Sequence, residues 1–162
     1  MSQPSLVIRL AKLDDLPSLA ELMYQSFLEY RSAYTEAAFS ATTPSSERLA
    51  ERLPEGPMWV AADDGVLVGT VAAVSRGAEL YVRGMAVAPA SRGLGVAAQL
   101  LEAVETFALT DGYQRIRLST TPFLTRAIKF YERSGFRRTT EGPHDLFGTQ
   151  LFTMVKELKK GS

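Results

Sequence analysis

The stretch that most constrains how this chain can fold runs from residue 78 to residue 112. A strand pattern over 78–87 is turned by Pro89 and reaches Arg92-Gly93-Leu94-Gly95, where a different periodicity begins. Over 95–109, Val96, Ala97, Leu100, Leu101, Val104, Phe107 and Ala108 share one helical face, and Gly112 marks the stop. A second strand pattern, Arg115–Thr120, follows at once. Strand, glycine turn, helix and strand in this order form a βα crossover, which needs a sheet to cross.

The rest of the chain supplies that sheet. Leu6–Leu10 reads as a strand. Asp14 or Asp15 is placed to cap a helix with Pro17 in its first turn, and Leu16, Leu19, Ala20, Met23, Phe27 and Tyr30 recur along it. Pro44-Ser45-Ser46-Glu47 opens a shorter helix to about Leu53, ended by Pro54 and Gly56. The runs 58–62 and 66–75 flank Asp64-Gly65, a strong hairpin signal. Gly84 inside the next strand predicts a bulge or a close backbone approach. Leu124, Ala127, Ile128 and Tyr131 align on a helix over 124–134 with Gly135 as its stop, and 136–140 with 150–158 read as a closing strand pair. The order β-α-α-β-β-β-α-β-α-β-β predicts an α+β fold with a mixed sheet and helices on both faces. With no repeat, low-complexity tract or linker, residues 1–162 read as a single domain.

Composition removes whole classes of chemistry. There is no cysteine, which excludes disulfides, thiolate metal sites and a cysteine nucleophile, and a single histidine, His144, excludes a multi-histidine metal site. No metal is therefore expected. Lys and Arg number 18 against 18 Asp and Glu, a balance that weighs against nucleic acid as a partner. No apolar run approaches membrane-spanning length and the N-terminus lacks signal-peptide character, so a soluble cytoplasmic protein without a membrane partner is expected. The charges divide unevenly: residues 1–81 hold 6 basic and 11 acidic side chains, residues 82–162 hold 12 and 7. Beside chance and solvated faces, that split fits an anionic ligand on the back half and a cationic one on the front.

The glycine turn carries a chemical signature. Free N–H groups at a helix N-terminus attract anions, and glycines let phosphate oxygens approach the backbone. Arg92 adds a charge-assisted donor, so the segment reads as a pyrophosphate site. Gly93-Leu-Gly95-Val-Ala-Ala98 also fits a dinucleotide fingerprint, but the next strand ends in Ser119-Thr120-Thr121 without the expected carboxylate. No Gly-Lys-Ser/Thr triplet marks a nucleoside triphosphate loop.

Arg92-Gly-Leu-Gly95-Val-Ala97 resembles the Q/R-x-x-G-x-G/A motif of the GNAT superfamily of acyl-CoA-dependent N-acetyltransferases. Met85-Ala-Val87-Ala-Pro89 is similar to that family's fourth strand, and Ala127-Ile-Lys-Phe-Tyr131-Glu-Arg-Ser-Gly135-Phe136 to its A-I-x-x-Y-E-x-x-G-F segment. With the element order in agreement, the resemblance covers nearly the whole chain. It implies a central sheet splayed between its fourth and fifth strands. It implies acetyl-CoA as cosubstrate, with pantetheine on backbone groups of Met85 and Val87 and pyrophosphate on the amides of Arg92, Gly93, Leu94, Gly95, Val96 and Ala97. Tyr131 matches the tyrosine beside the thioester sulfur, a general acid for the departing thiolate. Glu79, early on the fourth strand, becomes a candidate base, and alternation sets Glu79, Tyr81, Arg83, Met85 and Val87 on one face unless a bulge at Gly84 shifts them. Leu124 stands where the family often has an asparagine that bonds the cofactor. Arg126, Lys129 and Arg133 follow helical spacing suited to a solvated basic face or to the ribose phosphate. His144 is read as a loop residue, and Trp59 as core.

The acceptor region by the same resemblance spans Phe27 to Phe39, with four aromatics and the carboxylates Glu29 and Glu36. It suits an amine with an apolar body, or packing over the cofactor. The charge split favours a cationic acceptor met by Glu29 or Glu36. The functional expectation is direct acetyl transfer to a primary amine on a small molecule or peptide; a non-catalytic acyl-CoA-binding domain of the same fold is the alternative, and a homodimer stays open.

Overall fold

The computed structural model describes residues 6–158. Five α-helices and eight strands are formed among the described residues: β1 Leu6–Leu10, α1 Leu16–Phe27, α2 Glu36–Thr42, α3 Ser46–Arg52, β2 Met58–Asp63, β3 Val66–Arg76, β4 Glu79–Val87, α4 Val96–Thr110, β5 Arg115–Thr120, α5 Thr125–Arg133, β6 Arg137–Arg138, β7 His144–Leu146 and β8 Thr149–Glu157. The sheet runs β1-β2-β3-β4-β5-β8-β6, with β7 paired to β8. Only β4 and β5 are parallel, joined through α4, so the sheet is mixed as the pattern predicts.

The β2–β3 hairpin turns at Asp64 and Gly65, both left-handed at φ 54° and 85°, as a two-residue primed turn requires. Two apolar clusters sandwich the sheet. One gathers Val96, Leu100, Leu101 and Val104 of α4 and Tyr131 of α5 against Leu80, Val82, Ile116 and Met154. The other gathers Leu16, Leu19 and Met23 of α1 with Leu49 of α3 against Met58, Val60 and Ala86. Gly69 on β3 lets α4 approach closely: a Cβ there would sit 2.7 Å from Val96 Cγ1 and 3.0 Å from Leu100 Cδ1. Trp59 lies in the first cluster, as expected.

Several local expectations are revised. Asp15 stands at the head of α1 without capping it. Its carboxylate turns back to accept from Lys12 N–H at 2.7 Å and to pair with Arg9 at 2.8 Å, and the guanidinium holds it down at about 2. Between the helix read as far as Tyr30 and the one opened at Pro44 lies a further helix, α2, which Thr35 caps by accepting from Ala38 N–H at 3.1 Å. His144 is in a strand: Phe147 and Gly148, both left-handed, form a tight β7–β8 turn, and Nε2 lies 2.9 Å from Thr153 Oγ1. The closing pair is correspondingly shorter on the β6 side, since β8 divides its length between β6 and β7.

The bulge anticipated at Gly84 forms and decides the faces of β4. Thr70 pairs with Ala86 but Ala72 pairs with Arg83, so Gly84 and Met85 stand opposite one residue of β3. Gly84 sits at φ 67°, a conformation that disfavours any side chain. The extra residue reverses the alternation. Leu80 and Val82 point into the α4 cluster before it, while Met85 and Val87 pack against that cluster after it and Ala86 turns to the α1 side. The single face expected for Glu79, Tyr81, Arg83, Met85 and Val87 is therefore broken at Gly84.

Candidate active site

Parallel pairing of β4 with β5 runs only from Glu79–Arg115 to Val82–Leu118. Beyond it β4 continues on β3 and β5 continues on β8, so the two strands part and leave an open backbone edge. Because Ala88 N–H bonds Val68 O at 2.8 Å, antiparallel alternation turns the N–H and C=O of Val87 away from β3 toward that opening. The carbonyl there already accepts from the buried Ser26 hydroxyl at 3.1 Å. A cleft of about 620 Å³ passes through the split, lined by β4 from Tyr81 to Val87, by Leu118 to Thr121, by the glycine turn and by α5.

The glycine turn takes its shape from two left-handed residues, Gly93 at φ 80° and Gly95 at φ 82°. Neither has protein within 4 Å of where a Cβ would be, so their conformation, and not crowding, calls for glycine. Gly95 begins α4 without a side-chain cap, which leaves the first N–H groups of a 15-residue helix facing the cleft. Met85, Val87, Arg92, Gly93, Gly95, Val96 and Ala97 all line the cleft; Leu94 does not, and its side chain is turned to solvent. The Arg92 guanidinium is occupied elsewhere. It pairs with Glu29 and donates to Ser26 O at 3.1 Å, tying the turn to the end of α1, so the cleft receives its backbone and not a free charge.

Tyr131 lines the same cleft from α5 while its ring is buried between Phe130 and Phe136, at centroid distances of 5.4 and 5.5 Å. Burial raises its phenol well above the ordinary tyrosine value, so the group stays protonated throughout the neutral range. Core packing and a place in the cleft are both true of this residue. Arg126 and Arg133 also line the cleft from α5, whereas Lys129 does not. Leu124, at the head of α5, borders it with an apolar side chain where an amide would have offered hydrogen bonds.

Glu79 lies outside the cleft. Its carboxylate accepts from Arg117 Nε at 2.7 Å, Arg117 Nη2 at 2.9 Å and Arg115 Nη1 at 3.1 Å. These guanidiniums, Arg117 foremost, hold it below the usual carboxylate range. A clamped, acidified carboxylate on one side of the bulge and outside the lining fits a clamp across the paired part of β4 and β5, and suits a base poorly.

The front-half carboxylates are likewise absent from the lining. Glu29 pairs with Arg92, and Glu36 is exposed, 3.9 Å from Arg31. The aromatics of that region pack together: Tyr34 meets Phe123 at 4.9 Å and Phe39 at 6.1 Å. Thr35 fastens them to the β7–β8 turn by accepting nothing from it but donating to Phe147 O at 2.6 Å, while its N–H donates to Thr149 Oγ1 at 3.0 Å. Burial lifts the Tyr34 phenol to about 12. The charged residues that line the cleft among the described residues are Arg52, Arg83, Arg126 and Arg133, with Arg92, whose guanidinium is paired with Glu29, and no Asp, Glu or His. Neither Glu29 nor Glu36, the carboxylates expected to meet a cationic acceptor, is among the residues that line the cleft. Sequence halves do not map onto opposite walls, because β4 delivers Arg83 to the same wall as α1 and α3. Arg52 and Arg83 line the cleft although sequence reasoning gave neither a role there: Arg52 read as the polar side of a short helix, and Arg83 only as a member of the Met85 face.

A sheet split between parallel strands, an uncapped helix behind a glycine turn and a buried tyrosine share one cleft, as the resemblance to an acyl-CoA-dependent transferase implies. The chain belongs to the acetyltransferase (GNAT) family, whose model matches residues 17–136. It is 30% identical to the human N-acetylaspartate synthetase over 143 residues, covering 87% of this chain and 47% of that protein. The chain thus spans about half the length of the first curated relatives it matches. It is 31% identical to the uncharacterized N-acetyltransferase YjgM of Escherichia coli over 136 residues, 80% of this chain and 81% of that one. The PaiA N-acetyltransferase of Thermoplasma acidophilum, solved in complex with coenzyme A, superposes with a TM-score of 0.81 at 21% identity, covering 97% and 99% of the two chains, and so shares the fold.

Proposed function

We propose that the chain transfers an acetyl group from acetyl-CoA to a primary amine by direct, sequential attack. The observation that carries this reading is the single cleft joining the open edge of β4, the uncapped start of α4 and Tyr131. The residues present fit a pantetheine diphosphate. An extended amide-bearing arm would pair with the β4 edge as a strand does, and the Val87 N–H is turned that way. A diphosphate would take the N–H groups from Gly93 to Ala97, with space left where Cβ atoms are missing. Arg126 and Arg133, on the same stretch of lining, would meet further phosphate charge.

Acetyl-CoA supplies an activated thioester; this chain positions it and manages one proton. Tyr131 keeps its phenolic proton at neutral pH and gives it to the sulfur as the carbon–sulfur bond breaks. Deprotonation of the acceptor falls to solvent at the cleft mouth, because the lining offers no carboxylate or imidazole among the described residues. The chain has no cysteine, so an acetyl-cysteine relay is excluded and both substrates must be bound together.

The test is release of free thiol from acetyl-CoA against an amine panel, alongside thermal unfolding with CoA and with NAD. Amine-dependent thiol release and stabilisation by CoA but not NAD are expected. Stabilisation without thiol release would return the chain to a non-catalytic acyl-CoA-binding role. No stabilisation would end the reading altogether.

A further inference from the structure

Arg52, at the end of α3, and Arg83, on β4 just before the bulge, line the acceptor end of the cleft from two elements. Arg52 is half-buried and its only hydrogen bond is a long one, Nη2 to Ala41 O at 3.4 Å; it has no ion pair among the described residues. Arg83 pairs with Glu55 through one end of its guanidinium, while its buried Nε has no partner. Burial first, and then repulsion from the neighbouring cations Arg83 and Arg48, draws the Arg52 guanidinium below its ordinary value. Glu55 offsets one of two positive charges, so the pair keeps a net positive charge facing the cleft. Holding like charges together in a partly dry wall costs free energy that an anion would relieve. Planar guanidiniums with unused N–H groups suit a carboxylate, which can accept from both ends of a fork.

We infer that Arg52 and Arg83 form a carboxylate subsite, so that the acceptor is a small amine that also carries a carboxylate, of the amino-acid type. This rests on the acetyltransferase reading and specifies its second substrate. The carboxylate sits on the guanidinium pair and directs the amino group toward the split between β4 and β5. Tyr30 and Tyr34 line the neighbouring wall, where the acceptor's apolar part would lie.

The test compares amino acids with their C-terminal amides, and phosphoethanolamine with ethanolamine, as acceptors at saturating acetyl-CoA. Binding to the CoA-loaded protein is followed in parallel by thermal unfolding. The acids are expected to exceed their amides in kcat/KM by about tenfold or more, the size of a charge-assisted interaction. Arg52→Gln should raise KM for the acid by about that factor with a smaller change in kcat, and leave the amide nearly unaffected. Glu55→Gln, which frees Arg83 and lies outside the cleft, should act in the opposite direction and lower KM for the acid. Equal use or binding of acid and amide, or a Glu55→Gln variant that weakens acid binding, would overturn the subsite. Preference for the phosphate over every carboxylate would overturn its assignment to carboxylates. Failure of CoA itself to bind would instead overturn the acetyltransferase reading beneath it.

Discussion

Replacing Glu79 by glutamine separates a catalytic base from a structural clamp, because the two roles predict opposite readouts. The carboxylate takes three N–H donors from Arg115 and Arg117 and its side chain is 20% exposed. Glutamine keeps one acceptor oxygen but turns an NH₂ toward guanidinium donors. Losing a charge-assisted hydrogen bond costs about 1.5–3 kcal/mol when buried. Here both arginines keep another carboxylate, Glu157 for Arg115 at 3.2 Å and Glu141 for Arg117 at 2.8 Å. Partial exposure screens what remains, so about 1–2 kcal/mol is expected. For a chain of this size that lowers Tm by about 2–8 °C. The folded-state pKa of Glu79 is depressed, so its contribution is present above the ordinary glutamate value and is lost as pH falls through the folded one. The Tm gap between wild type and variant should therefore be full at pH 7 and close in acid. Calorimetry from pH 7 down to pH 3, with kcat measured at pH 7.5, tests both halves. An unchanged Tm with a kcat loss of about 10²-fold would refute the clamp and restore the base.

Three further outcomes are expected. Tyr131→Phe keeps the ring buried and should lower kcat by about 10²-fold or more with little change in CoA affinity, read by steady-state kinetics and calorimetric titration. Gly95→Asp should abolish stabilisation by CoA by setting a like charge at the start of α4, while Gly95→Ala, carrying only the left-handed strain of about 1–2 kcal/mol, should retain part of it in the same thermal assay. Gly69→Ala forces a methyl group against Val96 and Leu100 at 2.7 and 3.0 Å and should cost about 1–3 kcal/mol by denaturant unfolding. Because Val96 opens α4, weaker CoA binding should accompany it.

What the amino-acid order determined by itself was whatever depends on a few neighbouring residues. The Asp64-Gly65 hairpin, the glycine-led start of α4, the apolar stripe of α4 and the bulge at Gly84 all follow from backbone preferences and side-chain period, and all are present. That Tyr131 and the glycine turn line one cleft was legible too, though only through two family motifs about 35 residues apart, since its helical period alone describes a core residue. Tertiary structure decided the rest. Glu79 could be read as a base until β5 brought Arg115 and Arg117 against it across the parallel pairing. Arg92 was a phosphate donor on paper until the end of α1 presented the Ser26 carbonyl and the turn after it presented Glu29. Arg52 and Arg83, 31 positions apart, come to line one cleft only because α1 packs against both α3 and β4. A side chain's charge is written in the sequence; the charges it faces are set by long-range packing, which no local period encodes.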